Sequence, residues 1–283
     1  MKVAITGATG FIGRYVLQSL QRHNVEIVAI TRGCVSGKLF SDNVECVQLD
    51  VLNSSENAYD LMGRPDTLIH LAWGGLPNYK SDHHLEVELP SQYHFLENLV
   101  SAGLSSLFVA GTCFEYGMQS GSLCEITETV PDNPYGQAKD QLRKKLELLQ
   151  ERTSFALTWG RLFYLYGEGQ SESSLYTLLH QAIERGDKVF NMSGGEQVRD
   201  FLPVNLVAEK IVSLALLKED VGIVNIASGE PTTVRDLVQL WLKEKGSQME
   251  LNLGYYPYPD YEPMEFWANV AKLRSLNDRF EAR

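Results

Sequence analysis

Tyr135 and Lys139 stand four residues apart, a spacing that on a helix puts a phenol and an ammonium on one face. A free phenol titrates near 10 and transfers protons poorly at neutral pH, but an adjacent positive charge stabilises the phenolate and lowers that value. Such a pair can exchange a proton with an alcohol or ketone oxygen while hydride moves to or from a nicotinamide. The same spacing also arises by chance in many helices, so the pair alone leaves a packing role open. The second set of residues is Gly7, Ala8, Thr9, Gly10, Phe11, Ile12 and Gly13, which follows a short apolar run and opens a helix-period stretch. There the first glycine permits a tight turn and the second lets backbone N–H groups approach a pyrophosphate. The third allows close helix–strand packing, and the helix N-terminus favours negative charge. A glycine-rich loop in that setting points to dinucleotide binding.

Two further positions bear on which dinucleotide. A free ribose 2′-hydroxyl is usually met by an Asp or Glu about 20 residues beyond the glycines, at the end of the second strand. This chain has Thr31 and Arg32 there. A guanidinium pairs with a 2′-phosphate through a charge-assisted contact and offers a ribose diol nothing comparable, so NADP(H) is expected in preference to NAD(H), unless Arg32 is a solvated loop charge. Asp50, after the third strand, is placed either to accept from the adenine amino group or to cap the following loop.

The elements that must position these residues alternate from the first residue. Strands are expected at Lys2–Thr6, Val25–Ile30, Val44–Gln48, Thr67–Leu71, Ser106–Ala110 and Phe155–Gly160. Helices are expected between them at Phe11–His23, Ser54–Met62, Lys80–Ala102 and Pro134–Glu151. This is the rhythm of an α/β fold, a doubly wound parallel sheet of the Rossmann kind. After about residue 165 the pattern loosens into helices at Ser171–Arg185, Pro203–Leu217 and Thr233–Lys245 and a strand at Val221–Ala227. Residues 1–165 are therefore read as the dinucleotide-binding domain and 166–283 as mainly a smaller C-terminal substrate-binding lobe. Gly111–Asn133 and the Tyr/Pro-rich Gly254–Pro263 show no element and are candidate pocket walls.

Composition narrows the function. The 283 residues are 44% hydrophobic and 22% charged, which suits a soluble globular protein, and the net charge of −11 repels a phosphate backbone, so no nucleic-acid partner is expected. No apolar run approaches the roughly 18 residues needed to cross a bilayer, and the start MKVAITG does not read as a signal peptide, so a cytoplasmic protein without membrane association is expected. Cys34, Cys46, Cys113 and Cys124 are too scattered for a zinc site or a disulfide framework. His83 and His84 lack an i+4 partner and read as a solvated helix start; no metal is expected.

With these motifs the whole chain resembles the extended short-chain dehydrogenase/reductase family, in the NAD-dependent epimerase/dehydratase branch that works on nucleotide-sugars. The glycine loop matches its G-x-x-G-x-x-G, Tyr135 and Lys139 match its Y-x-x-x-K, and Gly111–Gly117 resembles its S/T-x-x-x-Y-G segment. Arg161–Gly167 resembles R-x-F-N-x-Y-G, and Arg199, Asp200, Phe201 with Val204 resemble R-D-F/Y-x-x-V. The resemblance implies that Thr112 is the catalytic Ser/Thr, hydrogen-bonding the reacting sugar oxygen beside Tyr135, and that Arg199 pairs with the substrate diphosphate. It adds Val51, Leu71, Ala72 and Phe163 to the cofactor site, and it implies a homodimer built on the helices at 80–102 and 134–151. Tyr164 and Glu88 stand where many members have Asn.

The departures select among the reactions of that branch. Where its 4,6-dehydratases carry Asp and Glu after the catalytic Thr, this chain has Cys113 and Phe114, and Phe cannot transfer a proton. The 4-epimerases hold NAD tightly, a habit that fits an acidic residue better than Thr31 and Arg32. Cys113 falls one position earlier than the Cys of the GDP-fucose synthase type and His180 does not match its His, so Cys113 reads as a buried thiol. What remains is NADPH-dependent reduction of the C4 ketone of a nucleotide-diphosphate 4-keto-6-deoxyhexose, with a 4-epimerase and a non-catalytic dinucleotide sensor as the other readings. The Tyr255–Tyr261 loop would either cover base or sugar or pack on the surface.

Overall fold

Val3, Ala4 and Ile5 are consecutive and wholly buried, so both faces of the first strand, β1 (Lys2–Thr6), must be covered. The computed structural model describes residues 1–33, 43–260 and 262–281, which leaves the readings on Cys34 and Tyr261 outside the described residues. From β1 the chain continues through α1 (Phe11–Leu20), β2 (Glu26–Thr31), β3 (Val44–Gln48), α2 (Ala58–Leu61), β4 (Thr67–His70), α3 (Leu89–Ser101), β5 (Ser106–Thr112), β6 (Gly121–Leu123), α4 (Pro134–Gln150) and β7 (Ala156–Leu162). It then forms β8 (Tyr164–Tyr166), α5 (Leu175–Arg185), β9 (Val189–Asn191), β10 (Val198–Pro203), α6 (Val204–Leu217), β11 (Gly222–Ile226), β12 (Pro231–Thr233), α7 (Val234–Glu244), β13 (Glu250–Asn252), β14 (Phe266–Ala268) and α8 (Ala271–Glu281).

Seven parallel strands form the main sheet in the order β11-β7-β5-β4-β1-β2-β3. The order reverses between β1 and β4, which opens a crevice at their carboxyl ends, the place where doubly wound sheets bind ligands. Alternate strand residues feed two cores. Val3 and Ile5 meet Val16, Leu20, Val207 and Ile211 on one face, and Ala4 and Leu68 meet Phe95, Leu99, Leu142 and Trp159 on the other. A third core, around Leu179, Phe190, Val238 and Trp241, belongs to the smaller lobe.

The chain after residue 165 does not stay in that lobe. α6 carries Val207, Ile211 and Leu214 back into the core that holds α1, and β11 pairs in register with β7, Ile223 opposite Trp159. The expected helix at Lys80–Ala102 begins a few residues later and then runs on without a break through Ser101, with a change of winding just before Pro90, which has no N–H to give. α3 starts at Leu89, and His84–Glu88 before it form a wider π turn. The expected helix at Ser54–Met62 is reduced to the single turn of α2. Within Gly111–Asn133 a 3-10 turn at Cys113–Tyr116 and β6 interrupt the loop, β6 pairing with β14.

Gly13 sits buried in the first turn of α1, and a Cβ there would overlap the Gly7 carbonyl oxygen. Gly13→Ala should therefore lower stability by about 1 to 3 kcal/mol even though alanine is the better helix former. Thermal denaturation measures this, and an unchanged or raised midpoint would show that the loop relaxes to admit a methyl group.

Candidate active site

The crevice encloses about 220 Å³ and is walled by Gly7, Thr9 and Gly10, by Arg32, by Asp50 and Val51, and by Leu71 and Ala72. Gly7 adopts φ +70°, and a Cβ on it would stand 2.9 Å from the Ala72 amide nitrogen, so only glycine lets the two loops approach this closely. Gly10 caps α1 without a side-chain acceptor, which leaves the first amides of the helix, at Phe11, Ile12 and Gly13, for an incoming anion. These residues fit a dinucleotide pyrophosphate. Asp50 takes the capping role: its Oδ1 accepts from the Leu52 amide at 3.1 Å and its Oδ2 from Asn53 at 2.8 Å. Phe163 is not brought to the crevice wall; it is buried between the rings of Tyr116 and Phe266. At the opposite end the wall consists of Trp73, Gly74, Glu88 and Gln92, which the sequence reading left out of the site.

Thr112 ends β5, and Tyr135 follows Pro134 at the start of α4, where the Asn133 side chain accepts from the Gly136 amide at 2.9 Å and fixes the helix start. Trp73, Tyr79, His84 and Phe114 surround the Tyr135 ring at centroid distances of 5.3 to 6.2 Å. Burial pushes the Tyr135 phenol well above its ordinary value; Tyr79 pushes the same way and a hydrogen bond with Thr112 pulls back. The expected lowering by Lys139 is absent. The Lys139 ammonium lies 6.0 Å from the Tyr135 ring centroid, donates to the Ala110 carbonyl at 2.9 Å and sits 3.8 Å over the Trp73 ring. Its own burial lowers it to about 7, against the charges of Glu115 and Glu88.

Glu115 is wholly buried and was missed. Its carboxylate accepts from the Thr112 amide at 2.9 Å, from the Trp159 indole at 2.9 Å and from Arg161 Nε at 2.7 Å, with Arg143 at 3.9 Å. Thr112 Oγ1 accepts in turn from the Phe114 amide, which completes a capping box. Thr112 followed three residues later by Glu115 was the available signal.

A buried polar chain runs from β1 toward the surface. Thr6 donates to His70 Nδ1 at 2.9 Å, His70 Nε2 to Gln92 at 2.8 Å, and Gln92 Nε2 to Glu88 at 2.7 Å, while His83 bonds the other Glu88 oxygen at 3.2 Å. Burial, assisted by the Lys139 charge, lowers His70 to about 3, so its ring is neutral. The pair of histidines is therefore not a solvated helix start. The π turn lets His83 reach Glu88 at i+5, and His84 is wholly buried, accepting from Trp73 Nε1 at 3.1 Å and donating to the Asn78 carbonyl at 2.9 Å.

A second cavity of about 660 Å³ lies among β8, α5, β10 and the segment around Tyr256–Glu262, with Pro77 and Tyr79 from the loop after β4. Arg199 reaches it, but the guanidinium bonds Glu262 at 3.0 Å and the carbonyls of Val198, Met264 and Pro263. A diphosphate would have to compete with Glu262 for it. Tyr256, Pro257 and Pro259 bring the Tyr255–Tyr261 loop to the same cavity. Cys113 is buried, and burial raises its thiol far above the ordinary value, as expected of a packed thiol. Among the described residues no group of three or more His, Cys, Asp or Glu side chains could hold a metal, and no helix is long and apolar enough to cross a membrane.

Residues 3–227 match the NAD dependent epimerase/dehydratase family, and the chain belongs to it. It is 30% identical, over 94% of this chain and 99% of the other, to the dTDP-6-deoxy-L-talose 4-dehydrogenase (NAD(+)) of Aggregatibacter actinomycetemcomitans. The UDP-N-acetylglucosamine 4-epimerase from Methanobrevibacter ruminantium, in complex with UDP-N-acetylmuramic acid, superposes with a TM-score of 0.84 at 20% identity, covering 99% of this chain and 94% of that one. The UDP-glucuronic acid 4-epimerase from Bacillus cereus in complex with NAD does so at 0.80 and 21%, covering 100% and 97%. Those two likenesses show the α/β fold alone.

Because Glu115 is the buried counter-charge of Arg161, Glu115→Gln should cost about 3 to 5 kcal/mol in chemical denaturation. It should also lower Lys139 further, since a charge that favours the ammonium is removed. A loss under about 1 kcal/mol would mean that the Glu125 carbonyl, 3.4 Å from Arg161 Nη1, satisfies the guanidinium instead.

Proposed function

We propose that the protein reduces the C4 ketone of a nucleotide-diphosphate 4-keto-6-deoxyhexose with NADPH. The observation that carries this reading is Tyr135. Its phenol is held neutral by burial, and its ring packs against both Trp73, which lines the crevice, and Tyr79, which lines the larger cavity, at centroid distances of 6.1 and 5.5 Å. The sugar ketone oxygen accepts from Thr112 and Tyr135, and Tyr135 gives up its proton as the carbonyl becomes an alcohol. When bound, the nicotinamide supplies the hydride. Lys139, beside Trp73, would hold the nicotinamide ribose, and Arg32 the 2′-phosphate. Cys113 and Phe114 offer no acid–base pair for eliminating water. The 30% identical relative is named for oxidation at C4 of a dTDP-6-deoxyhexose, and that reaction run backwards is the proposed reduction. The smaller lobe and the Tyr/Pro-rich loop wall the cavity that takes the nucleotide-sugar.

NADPH consumption with dTDP-4-keto-6-deoxyglucose, followed by NMR of the product, tests the reading. One NADPH should be oxidised per sugar, and Tyr135→Phe should slow this by about 100-fold or more with cofactor affinity little changed. Product without net NADPH loss would favour a 4-epimerase. Tight NADPH binding without turnover on any keto-sugar would favour a dinucleotide sensor.

Arg32 sets the cofactor preference in this reading, in contrast to the NAD(+) named for the relative. Arg32→Ala should weaken NADPH binding by about 1.5 to 3 kcal/mol and leave NADH nearly unaffected. Equal losses for both would show that Arg32 supports the loop and reads no phosphate.

A further inference from the structure

The larger cavity has two chemically different ends. Tyr79 lines it and places its ring 5.5 Å from that of Tyr135 and 4.8 Å from that of Phe114, so a reacting carbon must come in at this end. The other end is aromatic, with Tyr166 and Tyr176 at 4.9 and 5.2 Å from Trp241. Flat apolar surfaces of that kind suit a nucleobase. Arg199 and Glu262 are the only charged residues among the described ones lining the cavity, and their pairing at 3.0 Å leaves the cavity no free cation among those residues.

Tyr164 lines the same cavity. Its hydroxyl oxygen is buried and has no hydrogen-bond partner among the described residues, an unfavourable state that a ligand or water would relieve. Glu262 is near enough to couple to that phenol electrostatically, while the geometry between them falls short of a hydrogen bond. A carboxylate that only accepts and a phenol that can donate and accept are complementary to sugar hydroxyls.

Resting on the reading of this cavity as the nucleotide-sugar site, we propose that Tyr164 and Glu262 read hydroxyl groups of the hexose and restrict the site to uncharged sugars. A hexose with a carboxylate at C6 would face the Glu262 carboxylate and find the guanidinium of Arg199 already neutralised.

The test is calorimetric titration of the NADP-saturated protein with dTDP, dTDP-glucose and dTDP-glucuronic acid. Wild-type protein should bind dTDP-glucose at least about tenfold more tightly than the glucuronic acid, and Glu262→Gln should narrow that gap about fivefold or more with dTDP affinity unchanged. Tyr164→Phe should weaken dTDP-glucose about fivefold, spare dTDP, and leave the melting temperature of the unliganded protein equal or higher, because it deletes an unpaired hydroxyl. If removing the Arg199 counter-charge prevents Glu262→Gln from folding, Tyr164→Phe carries the test alone, and its binding dTDP-glucose like wild type overturns the proposal. An unchanged gap in Glu262→Gln also overturns it. So does a parallel shift in dTDP affinity, which would mean that Glu262 acts on the diphosphate through Arg199. Failure of all three nucleotides to bind wild-type protein would instead sink the nucleotide-sugar reading, and this inference with it.

Discussion

One carboxylate holds the ends of three elements together. Glu115 takes the Thr112 amide from the end of β5 and the Trp159 and Arg161 side chains from β7, and it lies within ion-pair reach of Arg143 on α4. A charge buried this deeply tolerates no loss of its partners, because an uncompensated ion in the interior costs several kcal/mol. The arrangement also dictates a neighbour. A side chain at Gly111 would collide with the Trp159 indole and with Glu115 itself, so a glycine must precede Thr112. Beyond Glu115, Arg161 stacks 4.5 Å over the Tyr116 ring, whose hydroxyl donates to Asn225 on β11 at 2.7 Å. Thr112 thus projects from a backbone anchored on both sides of β7.

The same carboxylate shapes the electrostatics of α4. Lys139 is buried one turn beyond Tyr135, and burial alone would drive it toward the neutral amine. Glu115 and Glu88 oppose this from different directions, the first from the 3-10 turn after β5 and the second from the π turn before α3. Because Glu88 also anchors the chain through Gln92 and His70 to Thr6 beside the glycine loop, the phosphate end and the lysine end of the crevice share one hydrogen-bonded frame.

Features set by local pattern were legible in the sequence: the glycine loop opening α1, the strands of the parallel sheet and the start of α4 at Pro134. Features that depend on partners distant along the chain were not. His83 finds Glu88 because a π turn ahead of Pro90 changes the spacing from four to five. Pro90 marks the place within the run from Lys80 to Ala102, but a helix-period pattern does not show that the winding widens there or that His83 gains a partner five residues on. Glu115 lay in a stretch read as lacking elements, although its capping box was written there. The return of α6 and β11 to the main sheet depends on register with β7, which no window of local sequence contains. The expectation for the tyrosine failed in sign, since spacing sets proximity to Lys139 while burial sets the larger effect.

That sign bears on direction. Reduction of a ketone needs a proton donor, and a buried phenol whose pKa is raised remains protonated at neutral pH. Oxidation of an alcohol needs the phenolate, which becomes accessible only if positive charge draws close to Tyr135. Here the nearest lysine is turned to the Ala110 carbonyl and the Trp73 ring, and with its pKa lowered to about 7 it is cationic for only part of the time at neutral pH. In the geometry seen here the phenol rests in its protonated form, the form that ketone reduction consumes and that alcohol oxidation, the same reaction run backwards, returns.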